Sequence, residues 1–239
     1  MLAVRDYRRS LERSRIARRT IVRPTAFDMR GRDWDVLPGV FSPICSPTTA
    51  LVLDLLDLGG PRAVPRTGSF LEIGCGAGLV AVSGALAGCE RVVATDVNPD
   101  AAANTELNAA RHGVGDRTRV VCGDLFDPLD PAERFDTIFW SSNYVLAPED
   151  YEYRSTHERA YVDAGYRTHR RFLAEVVDRL TPTGSALLHF SSRGDLPRLL
   201  RLAGEFDLGL RARRGVTVQE AGLPVDHLLV EITRSTSYR

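Results

Sequence analysis

Phe70-Leu71-Glu72-Ile73-Gly74-Cys75-Gly76-Ala77-Gly78 is the stretch that decides the fold. An apolar run ends in an acidic residue, three glycines follow at alternate positions, and Leu79-Val80-Ala81-Val82 opens a helical pattern. A strand, a tight turn and a helix start in that order form a nucleotide-binding corner. Glycine there admits positive φ and lets a ligand approach the backbone with no Cβ in the way. Arg91-Val92-Val93-Ala94-Thr95-Asp96 reads as the next strand, and Asp96 falls 22 residues after Gly74. A carboxylate at that distance is placed to accept hydrogen bonds from both ribose hydroxyls of a nucleoside.

The glycine spacing separates two cofactors. A nicotinamide fingerprint needs glycine at the first, third and sixth positions, and the sixth here is Leu79. The Glu-x-Gly-x-Gly-x-Gly pattern instead resembles motif I of class I S-adenosylmethionine-dependent methyltransferases. A third element agrees: Val120-Val121-Cys122-Gly123-Asp124-Leu125 looks like a third strand ending in Gly-Asp, and in that family this Asp contacts the adenine amino group. The resemblance implies an α/β, Rossmann-like fold. Its sheet is mostly parallel and seven-stranded, with an antiparallel edge hairpin and helices on both faces. It implies S-adenosylmethionine as cofactor, with S-adenosylhomocysteine as product. The cofactor-binding candidates are Glu72, Gly74, Cys75, Gly76, Gly78, Asp96, Val97, Asn98, Asp124, Leu125 and Ser141.

The 239 residues, 44% of them hydrophobic, are enough for one large α/β domain with a full core. Formal net charge is zero, so whole-molecule attraction to nucleic acid or to an anionic membrane is not expected. Cys45, Cys75, Cys89 and Cys122 lack the paired spacing of zinc ligands or a redox pair, and the five histidines are too dispersed for a metal site. Reduced thiols, with no signal peptide and no apolar run of spanning length, point to a cytoplasmic protein. Charge is nevertheless uneven. Residues 1–32 hold ten Arg against Asp6, Glu12 and Asp28. Leu2, Tyr7, Leu11 and Ile16 suggest an apolar stripe on an N-terminal helix that packs on the catalytic domain and covers its mouth. Gripping RNA or an acidic partner is the competing use of those arginines.

The chain divides into an N-terminal helical and hairpin extension capping the active site, 1–45, and a methyltransferase domain, 46–239. A small hairpin is expected around 30–33. Ser46-Pro47 reads as the start of a helix over 48–58. Strands are expected near 69–73, 91–96, 118–122, 135–140 and 185–190, with helices near 78–88, 99–112 and 168–180 between them. A helix over 195–205 and two final strands, 208–218 and 227–233, complete the pattern.

In an open α/β sheet, ligands lie at the carboxyl ends of the strands beside the switch point. That places Phe139-Trp140-Ser141-Ser142-Asn143-Tyr144, at the exit of the fourth strand, next to the reactive methyl. Residues 135–145 resemble the Phe-Asp-x-Ile-x-x-Asn-Pro-Pro-Tyr-Val segment of release-factor glutamine methyltransferases and their small-domain relatives. Flanking segments near 40–49 and 158–165 resemble the same clan, so the likeness spans roughly 36–192. Position by position, Asn-Pro-Pro-Tyr becomes Ser141-Ser142-Asn143-Tyr144. In the family, the Asn and a Pro carbonyl accept from the target NH2 and the Tyr packs on it.

The departure favours a small-molecule acceptor, a nitrogen or oxygen of a specialised metabolite made in biosynthesis, with nucleic acid set aside, no membrane, and a homodimer admitted. The alternatives are a protein (glutamine) or RNA N-methyltransferase, and a catalytically silent S-adenosylmethionine-binding protein. Tyr144, Asn143 and His157 are the catalytic candidates, His157 as a general base because imidazole titrates near neutrality. Asp163 is read as ordering its loop. His169, His189 and His227 are read as structural, and His112 as a cation suited to a helix end.

Overall fold

The computed structural model describes residues 6–59, 66–220 and 222–235; Leu2 lies outside them. The first helix, α1 (Tyr7–Thr20), is capped by Asp6, whose side chain accepts the Arg8 N–H at 2.9 Å. β1 (Thr25–Met29) and β2 (Arg32–Val36) pair as the expected hairpin. Then follow α2 (Thr48–Leu55), β3 (Ser69–Ile73), α3 (Leu79–Leu86), β4 (Arg91–Asp96) and α4 (Pro99–Arg111). β5 (Thr118–Cys122), β6 (Phe135–Ser141) and two short strands not expected from sequence, β7 (Leu146–Ala147) and β8 (Asp163–Ala164), come next. The chain ends with α5 (Arg167–Glu175), β9 (Leu180–Ser191), α6 (Leu196–Gly204), β10 (Leu208–Glu220) and β11 (Leu223–Arg234). Helix α5 is shorter than its pattern suggested because Val176–Arg179 tightens into a 3-10 turn.

Seven strands form the main sheet in the order β10-β11-β9-β6-β3-β4-β5. β3, β4, β5, β6 and β9 are parallel, and β11 and β10 close the edge antiparallel, as the family resemblance implied. Buried strands alternate their side chains between two cores. Leu71, Val93 and Ile138 face one core with Phe172 of α5 and Leu199 of α6. Phe70, Val92, Ala94 and Phe139 face the other, with Val52 of α2, Val80 of α3 and Ala109 of α4. The strand order reverses around β3, which opens a crevice at the carboxyl ends of β3, β4 and β6.

The N-terminal hairpin is fastened to this sheet by two asparagines on α4. Asn108 Oδ1 accepts the Asp35 N–H at 2.9 Å and Asn104 Oδ1 accepts the Leu37 N–H at 2.7 Å. Both side-chain amides donate to the Asp35 carbonyl at 2.8 Å, and Asn108 also donates to the Ala77 carbonyl at 2.8 Å. Both asparagines are fully buried, so these bonds have no water to replace them. His112, after α4, packs against Trp34 with ring centroids 4.4 Å apart and the ring planes tilted by 51°. Burial, then Arg32 and Arg111, push its pKa down, so a neutral ring packs there rather than the expected cation. On α1, Leu11 is buried but Ile16 is 53% exposed; Ser10, Ser14 and Ala17 take the inner face instead.

Asn108→Ala strips acceptor and donors from three backbone groups, the N–H and carbonyl of Asp35 and the buried carbonyl of Ala77. It is expected to lower stability by about 2–3 kcal/mol, seen as a fall of roughly 4–12 °C in Tm, while exposed Leu107→Ala leaves Tm within about 2 °C.

Candidate active site

The glycine corner is built by donating its N–H groups inward. Gly74 and Cys75 both donate to the Thr95 carbonyl, at 2.8 and 3.0 Å, which locks the turn after β3 onto the end of β4. Gly76 donates to Asp96 Oδ2 and Asn98 to Asp96 Oδ1, each at 2.9 Å. Asp96 is thereby held rigid at the cavity wall. Burial pushes its carboxyl above the ordinary aspartate value, and the two N–H bonds oppose the shift. Gly74 and Gly76 sit at φ +67° and +55°, and a Cβ on Gly76 would meet nothing within 4 Å among the described residues. A methyl there would project into open space. Glu72 lies beneath the turn and accepts the Ala81 N–H at 2.7 Å; burial raises its carboxyl well above the usual range.

One cavity brings together most of the residues that the sequence singled out: Glu72, Gly74, Cys75, Gly76, Asp96, Val97, Asn98, Asp124, Leu125, Ser141, Asn143, Tyr144 and His157 all line it. Gly78 does not. At φ +80° it opens α3, and a Cβ there would lie 2.8 Å from the Thr105 Cα, so its glycine serves helix packing rather than ligand approach. Asp124 lines the cavity, but its Oδ2 takes ion pairs from Arg159 at 2.9 Å and Arg171 at 2.8 Å. No local pattern near Asp124 points to either arginine. Val97 contributes through its place in the β4–α4 turn, between Asp96 and the helix cap Asn98.

The exit of β6 is held from several sides. Ser142 Oγ donates to the His189 carbonyl at 2.9 Å. Asn143 donates both amide hydrogens to backbone, to the carbonyls of Arg159 at 2.9 Å and Val162 at 3.1 Å. Its buried Oδ1 has no hydrogen-bond partner among the described residues. The Tyr144 ring packs edge-on against His189 and Phe190, at 5.6 and 6.1 Å between centroids, and burial raises its phenol. Its carbonyl accepts from the Tyr166 hydroxyl at 2.6 Å. Ser141, expected among the cofactor contacts, has its hydroxyl 3.2 Å from His189 Nδ1.

His157 is corrected by its surroundings. It is 5% exposed, with Nδ1 2.7 Å from Ser14 Oγ and its ring against Tyr161. Burial pushes its pKa down to about 4, so near neutrality it is a much weaker base than free imidazole. It joins α1 to the cavity wall. Asp163, read from sequence as ordering its loop, accepts the Thr168 and His169 N–H groups at the start of α5. Helix α1 adds Ser10 and Arg13 to the lining, and Arg193, 6% exposed, reaches Ser10 Oγ at 2.9 Å.

A protein-family profile described as a methyltransferase domain matches residues 70–161. The release factor glutamine methyltransferase of Bordetella pertussis is 34% identical over 205 residues, covering 79% of this chain and 73% of that protein. The chain belongs to this family of S-adenosylmethionine-dependent methyltransferases. The ribosomal protein L11 methyltransferase of Pelotomaculum thermopropionicum is 35% identical over 121 residues, covering 48% of this chain and 38% of that protein. The chain thus spans about two fifths of the length of the L11 methyltransferases it first matches. The tRNA m1G37 methyltransferase of M. jannaschii shares the fold, with a TM-score of 0.58 at 13% identity over 89% of this chain and 55% of that one. The family membership implies S-adenosylmethionine as the cofactor of this fold.

The comparisons overturn a small-molecule acceptor, and with it the assignment to biosynthesis and the setting aside of nucleic acid. Both sequence relatives are named for protein substrates, and the structural neighbour for a tRNA. No helix among the described residues is long and apolar enough to cross a membrane.

Gly76 and Gly78 give a contrast. Substituting alanine at either costs about 1–2 kcal/mol of left-handed strain. Gly78→Ala adds about 1–3 kcal/mol of crowding against Thr105 and should show a clearly lower urea midpoint. Gly76→Ala should keep most of its stability and lose S-adenosylmethionine affinity by tenfold or more in calorimetry.

Proposed function

We propose that the chain is a protein N-methyltransferase whose cavity binds S-adenosylmethionine over the glycine corner and presents a polypeptide nitrogen at Asn143 and Tyr144. The residues present suit the cofactor. The open face above Gly76 accommodates close approach, and the fixed Asp96 carboxylate suits a ribose diol. Gly74, Cys75, Val97, Asn98 and Leu125 would complete that end, and Asp124 would border the adenine. When bound, the cofactor supplies an electrophilic methyl carbon on a sulfonium.

The observation that carries the acceptor class is Asn143. Both of its amide hydrogens are committed to backbone carbonyls, which fixes the side chain's orientation and leaves Oδ1 as an acceptor in the cavity wall. An acceptor without a partner at that position suits an N–H of the methylated group. Ser142 supports the same reading. The resemblance expects prolines to stiffen this turn, and here the Ser142 hydroxyl pins it to the strand beside it. The departure from Asn-Pro-Pro-Tyr therefore keeps a rigid exit and an amide acceptor, moved by two positions. Arg8, Arg9, Arg15, Arg18 and Arg19 lie exposed on α1, beside the mouth that Ser10 and Arg13 line, and suit an acidic stretch of the partner.

Catalysis in such a cavity comes mainly from holding the acceptor in line with the methyl and excluding water. Incubating the enzyme with methyl-labelled S-adenosylmethionine and lysate of the source cells should place label in the protein fraction. Label in RNA or in small molecules alone would overturn the reading. Asp96→Ala should weaken S-adenosylmethionine binding by about ten- to a hundredfold; unchanged affinity would remove Asp96 from the cofactor site.

A further inference from the structure

His189 and His227, read from sequence as packing residues, belong to a buried hydrogen-bonded chain that begins in the cavity. Ser141 Oγ lies 3.2 Å from His189 Nδ1 and His189 Nε2 lies 3.0 Å from His227 Nδ1. His227 Nε2 lies 3.0 Å from Glu220 Oε1. The two imidazoles are stacked, 5° from parallel with centroids 5.2 Å apart, and are 0% and 1% exposed. Adjacent strands supply this alignment. Ser141 on β6 pairs with His189 on β9, and His227 on β11 pairs with Ser191, two residues further along β9. At the far end Glu220 Oε2 meets Arg193 at 3.2 Å and Arg13 at 4.0 Å. Glu220 and His227 line a second cavity beside α2, so the chain runs from the active site to another face of the molecule.

The hydrogen bonds run in one direction. The His227 hydrogen bond, with Arg193 and Arg13, holds the Glu220 carboxyl below the usual glutamate value, so it is an ionised acceptor. His227 must then carry its proton on Nε2, which leaves Nδ1 to accept from His189 Nε2–H. That leaves His189 Nδ1 to accept from the Ser141 hydroxyl. The opposite polarity would point an imidazole lone pair at a carboxylate. Burial and the neighbouring His227 push the His189 pKa down to about 3, so this ring passes a proton on rather than storing it.

We propose that Ser141, His189, His227 and Glu220 form a proton relay that removes the proton released by the methyl acceptor, an inference that rests on the acceptor being an N–H group in this cavity. The acceptor nitrogen forms its bond to the methyl carbon while the donor's carbon–sulfur bond breaks, its electron pair remaining on sulfur. The nitrogen's proton passes to Ser141 Oγ and the serine proton passes to His189 Nδ1. The His189 Nε2 proton moves to His227 Nδ1, and the His227 Nε2 proton moves to Glu220 Oε1. One proton leaves the acceptor and one reaches Glu220, with the imidazoles neutral at both ends of the sequence. Ser141 is the catalytic member. His189, His227 and Glu220 are positioning residues that act through it.

Glu220→Gln tests this with little change of shape, since glutamine still accepts from His227 but takes no proton. With methyl-labelled S-adenosylmethionine and the protein fraction of source-cell lysate, Glu220→Gln and His227→Gln should each slow label incorporation by tenfold or more. Affinity for S-adenosylmethionine should be unchanged by calorimetry. Ser141→Ala should be slowed equally, and Ser141→Thr, which keeps a hydroxyl, should recover most of the rate. The wild-type rate should fall by about twofold or more in deuterium oxide, and Glu220→Gln should lose that sensitivity. Equal rates in wild type, Glu220→Gln and Ser141→Ala would overturn the relay while leaving the protein-substrate reading in place. No incorporation by the wild type would overturn both. If His227→Gln unfolds, the Ser141 pair still decides.

Discussion

The Thr95 carbonyl, taking the N–H groups of both Gly74 and Cys75, is the contact on which the rest of the molecule turns. A chain leaving β3 must reverse into α3 within five residues without filling the crevice it borders. Glycines at positive φ permit the reversal, but they do not hold it. The Thr95 bonds tie the turn to β4, and Asp96 ties Gly76 and Asn98 from the next position. Helix α3 begins without a side-chain cap on Gly78, and Glu72 supplies the missing acceptor to Ala81 from the end of the strand. The acidic residue before the glycines is therefore a helix anchor. Asn108 continues the same construction by joining the turn, at the Ala77 carbonyl, to the N-terminal hairpin.

Helix α1 shows why buried hydroxyls need not be costly. Ser10 and Ser14 are four residues apart and so share a face. Each meets a partner from the opposite wall, Arg193 and His157 respectively. Burial without those partners would cost about 1–3 kcal/mol apiece. With them, the helix seals one side of the cavity while leaving its arginine-rich face to solvent. A single segment thus serves as wall on one side and charged surface on the other, and the wall role makes the cavity dependent on residues far from the glycine corner in sequence.

The strands and helices of the sheet were legible because buried parallel strands are continuous apolar runs and the helices between them carry caps such as Asn98-Pro99. The glycine corner and Asp96 were legible for the same local reason: their spacing is set by one βαβ unit. What escaped is what the register of distant strands assembles. Nothing near His189 signals Ser141, 48 residues earlier, or His227, 38 residues later. The N-terminal stripe misled for a related reason. Hydropathy placed Ile16 inside, whereas the cavity wall needed the small polar Ser14, whose hydroxyl finds a histidine 143 residues away. Asp124 was found by its place after a strand, but the guanidinium groups that claim it come from a 3-10 turn and a helix 35 and 47 residues later.

The serine at 141 is best understood through what an amide there would do. Asparagine in that position offers a carbonyl oxygen to the acceptor and holds its own hydrogens on nitrogen, which exchange them too reluctantly to serve as a conduit. A hydroxyl accepts and donates at one atom, so in the proposed relay it links an acceptor N–H to the imidazole behind it. That exchange is useful only where a hydrogen-bonded chain stands behind the serine, and a buried His-His-Glu chain ending at a half-buried carboxylate does. Two buried imidazoles would otherwise burden the core. Their burial follows once every nitrogen has a partner and the carboxylate fixes the direction of each proton. Asn143, two residues on, keeps the amide acceptor that Ser141 lacks. On this proposal the two serines and the asparagine divide among three side chains the tasks that the Asn-Pro-Pro segment performs elsewhere in the family.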